Sequence, residues 1–155
     1  CLFCPLSGSC RALSEGKVQQ LPVKQHRTKT TNRYFNYIYV RMGAHTLIHK
    51  RTEDDIWKNL FELPLVETEK DLSEEEFLAC PQFHALFAEG EVRMVRTLLR
   101  GVKHVLSHRV IYTNFYEVTL PDNSSSFSSY QRVAVEDLGR YAVPRLIHAF
   151  LEKYV

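Results

Sequence analysis

Nowhere in these 155 residues do apolar side chains run for the roughly 18 positions that a membrane-spanning helix needs. No charged stretch followed by an apolar one opens the chain as an export signal would, and the two absences together read as cytoplasmic. A strong charge of one sign is missing too. Twenty Lys and Arg stand against 18 Asp and Glu, a net charge of +2. The domain as a whole therefore carries no strong field, and any nucleic-acid argument must rest on local basic runs. There is no initiator Met, because the chain starts on Cys1; a start inside a cysteine cluster points to a piece of a longer protein. No internal repeat is visible.

What is present is the composition of an ordinary globular domain, 45% hydrophobic and 25% charged, in a chain long enough to bury a real core. Cys1, Cys4 and Cys10 have the spacing Cys-x2-Cys-x5-Cys. Clustered cysteines in a chain that is not exported point to metal or iron–sulfur ligation rather than to disulfides, although three incidental thiols are the plain alternative. Three ligands do not close a four-ligand site. Cys80 is a poor fourth, since it lies in an apolar helical pattern where a buried thiol is the default. Arg11 to Thr31 is polar and breaker-rich, holds the basic run Lys24, His26, Arg27, Lys29 and Arg33 with its end, and shows no periodic apolar face. It reads as a linker that either touches phosphates or is simply soluble.

A β-rich part follows. Tyr34–Arg41 is dense in aromatic and branched residues and reads as a strand, Met42-Gly43-Ala44 as a turn, and His45–Lys50 as its hairpin partner. Leu60–Val66 reads as a short strand with Pro64 marking an edge or bulge. Ser73 and Glu76 form a capping box, with Leu72 and Phe77 as a hydrophobic staple, so a helix starts there. Glu74, Glu75 and Glu76 suit its dipole better than they suit a metal. Beyond Pro81, Phe83, Leu86 and Phe87 line a second short helix ending near Gly90. Glu91–Leu99 favours strand, Val110–Leu120 is the longest strand, Pro121–Ser129 a flexible loop, and Val133–Val135 a short strand. Pro144 opens a last helix whose Ile147, Phe150, Leu151 and Tyr154 recur at helical spacing. The class is α+β: a mixed β-sheet packed between helices, one domain after an irregular N-terminal tail.

The centre of interest is Val102–Val118. It contains a polar island, His104, Ser107 and His108, at the mouth of a strand. These side chains can read the polar edge of a ligand, or they form a turn that bonds only its own backbone. Arg93, Arg96, Arg100, Lys103 and Arg109 make a basic patch that the net charge conceals.

In order along the chain, these features resemble the C-terminal part of MutY-type adenine DNA glycosylases. Cys1, Cys4 and Cys10 are similar to the last three ligands of that family's iron–sulfur loop. The match continues through Leu21-Pro22-Val23-Lys24, Tyr34-Phe35, His49-Lys50-Arg51 and Asp55-Ile56-Trp57-Lys58-Asn59-Leu60-Phe61-Glu62-Leu63-Pro64. It resumes at His104-Val105-Leu106-Ser107-His108 and at Tyr141-Ala142-Val143-Pro144. The resemblance implies that residues 1–10 end a 4Fe–4S loop that is incomplete here, so that the cluster belongs to the parent protein and is absent from this fragment. It also implies an interdomain linker at 11–32 and a Nudix-like domain at 33–155.

What the family does is implied in the same way. The parent enzyme, an adenine DNA N-glycosylase of bacterial type, removes adenine opposite 8-oxoguanine in duplex DNA. The catalytic carboxylates lie in the preceding domain, so no catalytic residue falls in this chain and the fragment alone is expected to be inactive. Leu106, Ser107 and His108 take the place of the loop that meets the oxidised base, with Leu106 where the family typically has Phe. Lys24, Arg27, Lys29, Arg100, Lys103 and Arg109 are the candidates for backbone contacts. Asn59 stands where Gly is usual, and Asn tolerates positive φ.

The chemistry of the lesion suits Ser107. In 8-oxoguanine N7 becomes a donor and C8 gains a carbonyl, so a serine hydroxyl can accept from N7–H while a backbone N–H donates to O8. Guanine leaves that donor unpaired, at a cost of about 1–3 kcal/mol. Two rivals remain. A Nudix hydrolase of nucleoside diphosphate derivatives needs an arginine and glutamates at box spacing; no arginine occurs between Arg51 and Arg93, and Glu74-Glu75-Glu76 lack that spacing. A protein-interaction module predicts DNA binding indifferent to the lesion.

Overall fold

The computed structural model describes residue 1, residues 3–21, residue 23 and residues 29–155. Among the described residues, the N-terminal segment holds a single 3-10 turn at Ser7–Ser9 and the one-turn helix α1, Arg11–Ser14. Strand β1 spans Thr31–Arg41 and begins inside the stretch read as linker, three residues before Tyr34. Its inner half, Phe35–Val40, is buried on both faces, which is why it reads as continuously apolar rather than alternating.

β1 lies second in a four-stranded sheet ordered β4-β1-β6-β5, where β4 is Leu65–Thr68, β5 Met94–Val105 and β6 Arg109–Thr119. It runs parallel to β6 from Thr31↔Arg109 to Arg41↔Thr119 and antiparallel to β4. The second sheet is ordered β3-β2-β7, from Phe61–Glu62, His45–Lys50 and Gln131–Ala134. Here the structure corrects two expectations. His45–Lys50 is no hairpin partner of β1: after a single Met42↔His45 bridge the chain changes sheets, and β2 pairs with β3 and β7. Nor is Leu60–Val66 one strand. Leu63-Pro64 divides it into β3 and β4, which belong to different sheets, because Pro64 offers no N–H and only its carbonyl bonds, to the Ile38 N–H at 2.8 Å.

The two faces of the larger sheet carry separate cores. On one face Phe35, Tyr37, Ile111 and Phe115 meet Ile48, Leu63 and Val133 of the second sheet and helix α4, Arg145–Tyr154. Phe150 of α4 lies parallel to Phe115 with centroids 4.1 Å apart. Helix α4 begins one residue after Pro144, which serves as its N-cap. On the other face Ile38, Val40, Tyr116 and Val118 are covered by α2, Glu74–Leu78, and α3, Pro81–His84. The capping box forms as the sequence requires: Glu76 N–H donates to Ser73 Oγ at 3.1 Å and Ser73 N–H to Glu76 Oε2 at 2.8 Å. The second short helix stops at His84, well before Gly90. Cys80 is half-buried and caps α3.

Candidate functional site

The polar island sits at the tip of the hairpin made by β5 and β6. Val105 pairs with Val110, Leu106 N–H donates to the Arg109 carbonyl at 2.8 Å, and Leu106, Ser107 and His108 form the connection. The turn is also tied sideways, because Thr31 N–H at the start of β1 donates to the His108 carbonyl at 3.1 Å. Leu106 is half-buried against the main core, while Ser107 and His108 are exposed. Ile56 and the four residues from Leu106 to Arg109 line a mainly apolar hollow of about 380 Å³. A hydroxyl and an imidazole thus stand at the rim of a hollow on a strand end braced from two sides. A larger hollow of about 650 Å³, with Tyr39, Arg41, Arg96 and Glu117 in its lining, lies at the opposite end of β1 and β6.

The register that aims the turn is set by buried amides. Between Leu99 and Val102 the β5 ladder slips, and Gly101 adopts a φ of 68°, in the left-handed region that favours glycine. Its freed N–H donates to Asn114 Oδ1 at 2.9 Å, and Asn114 Nδ2 donates to Asn36 Oδ1 at 3.1 Å and to Asp71 Oδ1 at 3.2 Å. Each buried amide is spent on a neighbour, so a slip of the ladder would orphan several groups at once.

Behind the turn lies a network of ions. Asp55, in the loop between β2 and β3, accepts from Arg33 Nη1 at 2.6 Å, from Arg51 Nη2 at 3.2 Å and from Arg109 Nη1. Burial opposes the charged form of Asp55, but the bonds from Arg33, from the Ile56 backbone and from Arg109 outweigh it and hold the carboxyl at about 2. Arg33 also grips Glu67 with two bonds of 2.6 Å, and its guanidinium lies 4.8 Å from the Phe35 ring centroid. Arg51 donates to buried Glu62 at 2.8 and 3.0 Å and to the Ile56 carbonyl at 3.0 Å, while the Tyr37 hydroxyl donates to Glu62 at 3.1 Å. Burial pushes the Arg51 pKa down, but the bonds and charge of Glu62 outweigh it and raise it above the ordinary value. The Asp55 loop is wound tightly enough to place Trp57 at φ 59° and Asn59 at φ 69°. The Trp57 ring lies 5.9 Å from the His104 ring on β5.

Of the six cations chosen for backbone contacts, Lys24 and Arg27 lie outside the described residues. Lys29 and Lys103 are exposed. Lys103 is the register partner of Tyr112, which stacks on Tyr34 at 5.5 Å. Arg100 donates to the Leu72 carbonyl at 2.6 Å and holds the helical insert; Arg109 is engaged by Asp55. Cys1 and Cys4 are exposed and Cys10 is half-buried, all as free thiols. Among the described residues no three His, Cys, Asp or Glu side chains gather into a group able to hold a metal. Glu74, Glu75 and Glu76 occupy the first turn of α2, where Glu76 serves the cap. No helix among the described residues is long and apolar enough to cross a membrane. Sequence reasoning missed the role of Asp55, Arg33 and Arg51; two of them stand in quoted motifs, but nothing along the chain says they meet.

The mixed parallel and antiparallel main sheet thus carries α2 and α3 on one face and the second sheet together with α4 on the other. The chain belongs to the NUDIX domain family, whose model matches residues 36–153. A curated relative, the adenine DNA glycosylase of Buchnera aphidicola subsp. Acyrthosiphon pisum, is 24% identical over 157 aligned positions. The alignment covers 99% of this chain and 42% of the relative, so the chain spans less than half of that protein's length. Among solved structures, the C-terminal domain of mouse MUTYH, determined in complex with human PCNA, superposes with a TM-score of 0.60 at 15% identity, over 79% of this chain and 86% of that one. A MutT protein from Methanosarcina mazei Go1 superposes with a TM-score of 0.52 at 18% identity, over 80% and 93%. At these identities the likeness establishes the fold.

Proposed function

We propose that this NUDIX-fold domain is the lesion-reading part of an adenine DNA glycosylase, and that it grips 8-oxoguanine opposite the adenine removed by a catalytic domain elsewhere in the same protein. The observation that carries this is the exposed Ser107 at the tip of a hairpin held by β1 on one side and by the Asp55 loop on the other. Ser107 Oγ accepts from N7–H of the oxidised base. The Leu106 N–H is used inside the turn, so the Ser107 or His108 N–H is the donor to O8. Leu106 packs the turn onto the core, and among the described candidates Lys29 and Lys103 are the exposed cations left to meet phosphates, beside Lys24 and Arg27 outside the described residues. In the whole protein Cys1, Cys4 and Cys10 would supply three ligands of an iron–sulfur cluster completed by a cysteine outside this sequence. The likeness to the Buchnera aphidicola glycosylase over 99% of the chain supports this reading. The hydrolase alternative needs gathered carboxylates, and the described residues hold no such group.

The test is single-turnover adenine excision by the full glycosylase chain, opposite 8-oxoguanine and opposite guanine, with Ser107 intact and as Ser107→Ala. The expected result is a slower reaction opposite 8-oxoguanine, by roughly tenfold to a hundredfold for a lost contact of about 1–3 kcal/mol, with a narrowed gap between the substrates. Equal rates for both proteins on both duplexes would leave the turn as scaffold only, and binding indifferent to the lesion would favour an interaction module.

A further inference from the structure

The segment Asp55-Ile56-Trp57 touches the hairpin at each of its three residues. Asp55 bonds Arg109, Ile56 lines the hollow beside Leu106, Ser107 and His108, and Trp57 lies against His104. Asp55 is itself fixed from behind by Arg33 of β1 and by Arg51, which is anchored on buried Glu62. We infer that Asp55 is a positioning residue for lesion recognition: through Arg109, the residue after the turn, it sets the place and tilt of Ser107 against the base edge. The inference rests on the reading that Ser107 meets the lesion.

The geometry separates this role from two simpler ones. Of the three arginines that meet Asp55 among the described residues, Arg109 alone comes from the hairpin, since Arg33 belongs to β1 and Arg51 directly follows β2. Its removal cuts the link to the turn while Arg33 and Arg51 stay on Asp55. A guanidinium given to an internal carboxylate is also a weak candidate for phosphate. Arg109, chosen from the sequence as a backbone contact, therefore acts on the turn instead. A hydrogen bond to a base edge needs its acceptor within a few tenths of an ångström of the right place, and a hairpin tip held at one side only would not supply that.

The experiment uses the full glycosylase chain with Asp55→Asn, Arg109→Lys, Ser107→Ala and the double variant Asp55→Asn/Ser107→Ala. Single-turnover excision opposite 8-oxoguanine and opposite guanine is measured, together with affinity for undamaged duplex as a function of salt. Asp55→Asn is expected to narrow the ratio of the two rates by about tenfold, the scale of one misplaced base contact. It should leave the affinity for undamaged duplex and its salt slope unchanged. In the Ser107→Ala background Asp55→Asn should change the ratio no further, because both act on one contact. Arg109→Lys, which keeps a cation on Asp55, should retain most of the ratio. If Ser107→Ala narrows the ratio and Asp55→Asn does not, Asp55 has no positioning role and the reading of Ser107 stands. If Asp55→Asn narrows the ratio equally with and without Ser107, it acts elsewhere and the inference is overturned. If Ser107→Ala itself has no effect, the underlying reading falls first. Should Asp55→Asn fail to fold, Arg109→Gln takes its place, and a uniform loss on both duplexes with a shallower salt slope would mark Arg109 as a phosphate contact and defeat the inference.

Discussion

Replacing Arg51 by Met should cost more stability than any exposed change in the domain. Arg51 is 8% exposed and Glu62 2% exposed, and the pair is joined at 2.8 and 3.0 Å. Met matches the length of the Arg stem but leaves Glu62 charged and buried, with the Tyr37 hydroxyl at 3.1 Å and His49 Nε2 at 3.4 Å as its remaining neighbours. Removing one partner of a buried pair costs about 3–5 kcal/mol. Against a typical domain stability of about 5–15 kcal/mol, that is a drop in Tm of roughly 6–20 °C for a chain of this size. The assay is urea unfolding followed by the fluorescence of Trp57, the single tryptophan, with Arg51→Met/Glu62→Leu alongside. The double variant should recover much of the loss, because no uncompensated charge is left. A residue of about 1–3 kcal/mol should remain from the Tyr37 hydroxyl that loses its acceptor. A cost below about 1 kcal/mol for Arg51→Met, or a double variant no better than the single one, would show that Glu62 does not depend on Arg51.

Two further outcomes follow from the same loop. Asp55 is held at about 2, below its ordinary value of 3.8; a lowered carboxylate stabilises the fold above its unfolded pKa, and that contribution fades as pH falls from about 4 through about 2. Urea midpoints measured across that range should fall less steeply for Asp55→Asn than for the parent, and parallel curves would show that Asp55 gains nothing from its arginines. At position 59, where φ is 69°, Asn59→Gly should be neutral or mildly stabilising, whereas Asn59→Val should cost at least about 1–2 kcal/mol in the left-handed region; equal unfolding midpoints for the two variants would mean that the loop rearranges.

Local signals in this chain spoke clearly where the physics is local. The capping box at Ser73, the helix after Pro144, a long strand at β6 and the tolerance of Asn59 for positive φ each follow from a few neighbouring residues, and each is found in the structure. β6 is not the longest strand that was expected, however: it has 11 residues and β5 has 12, because β5 runs on through Val102–Val105. The α+β class followed from their order. The position of Ser107 at the mouth of a strand was legible too, because polar side chains between two β-prone runs mark a turn.

Only the tertiary structure decided which strands share a sheet and which ions share a site. His45–Lys50 follows a turn and looks like a hairpin arm, yet it leaves β1 for β7, a partner more than 80 residues away by number, because pairing depends on faces that close together only in the assembled core. Leu60–Val66 reads as one strand and serves two sheets, since a proline interrupts the ladder where the chain crosses between them. Arg33 reads as the end of a basic run and Arg109 as a candidate contact to the DNA backbone, and both end on Asp55. Sequence specifies residue types and local periods; the meeting of Arg33, Arg51 and Arg109 on one carboxylate requires β1, the end of β2 and the start of β6 to be packed side by side, and nothing along the chain records that distance.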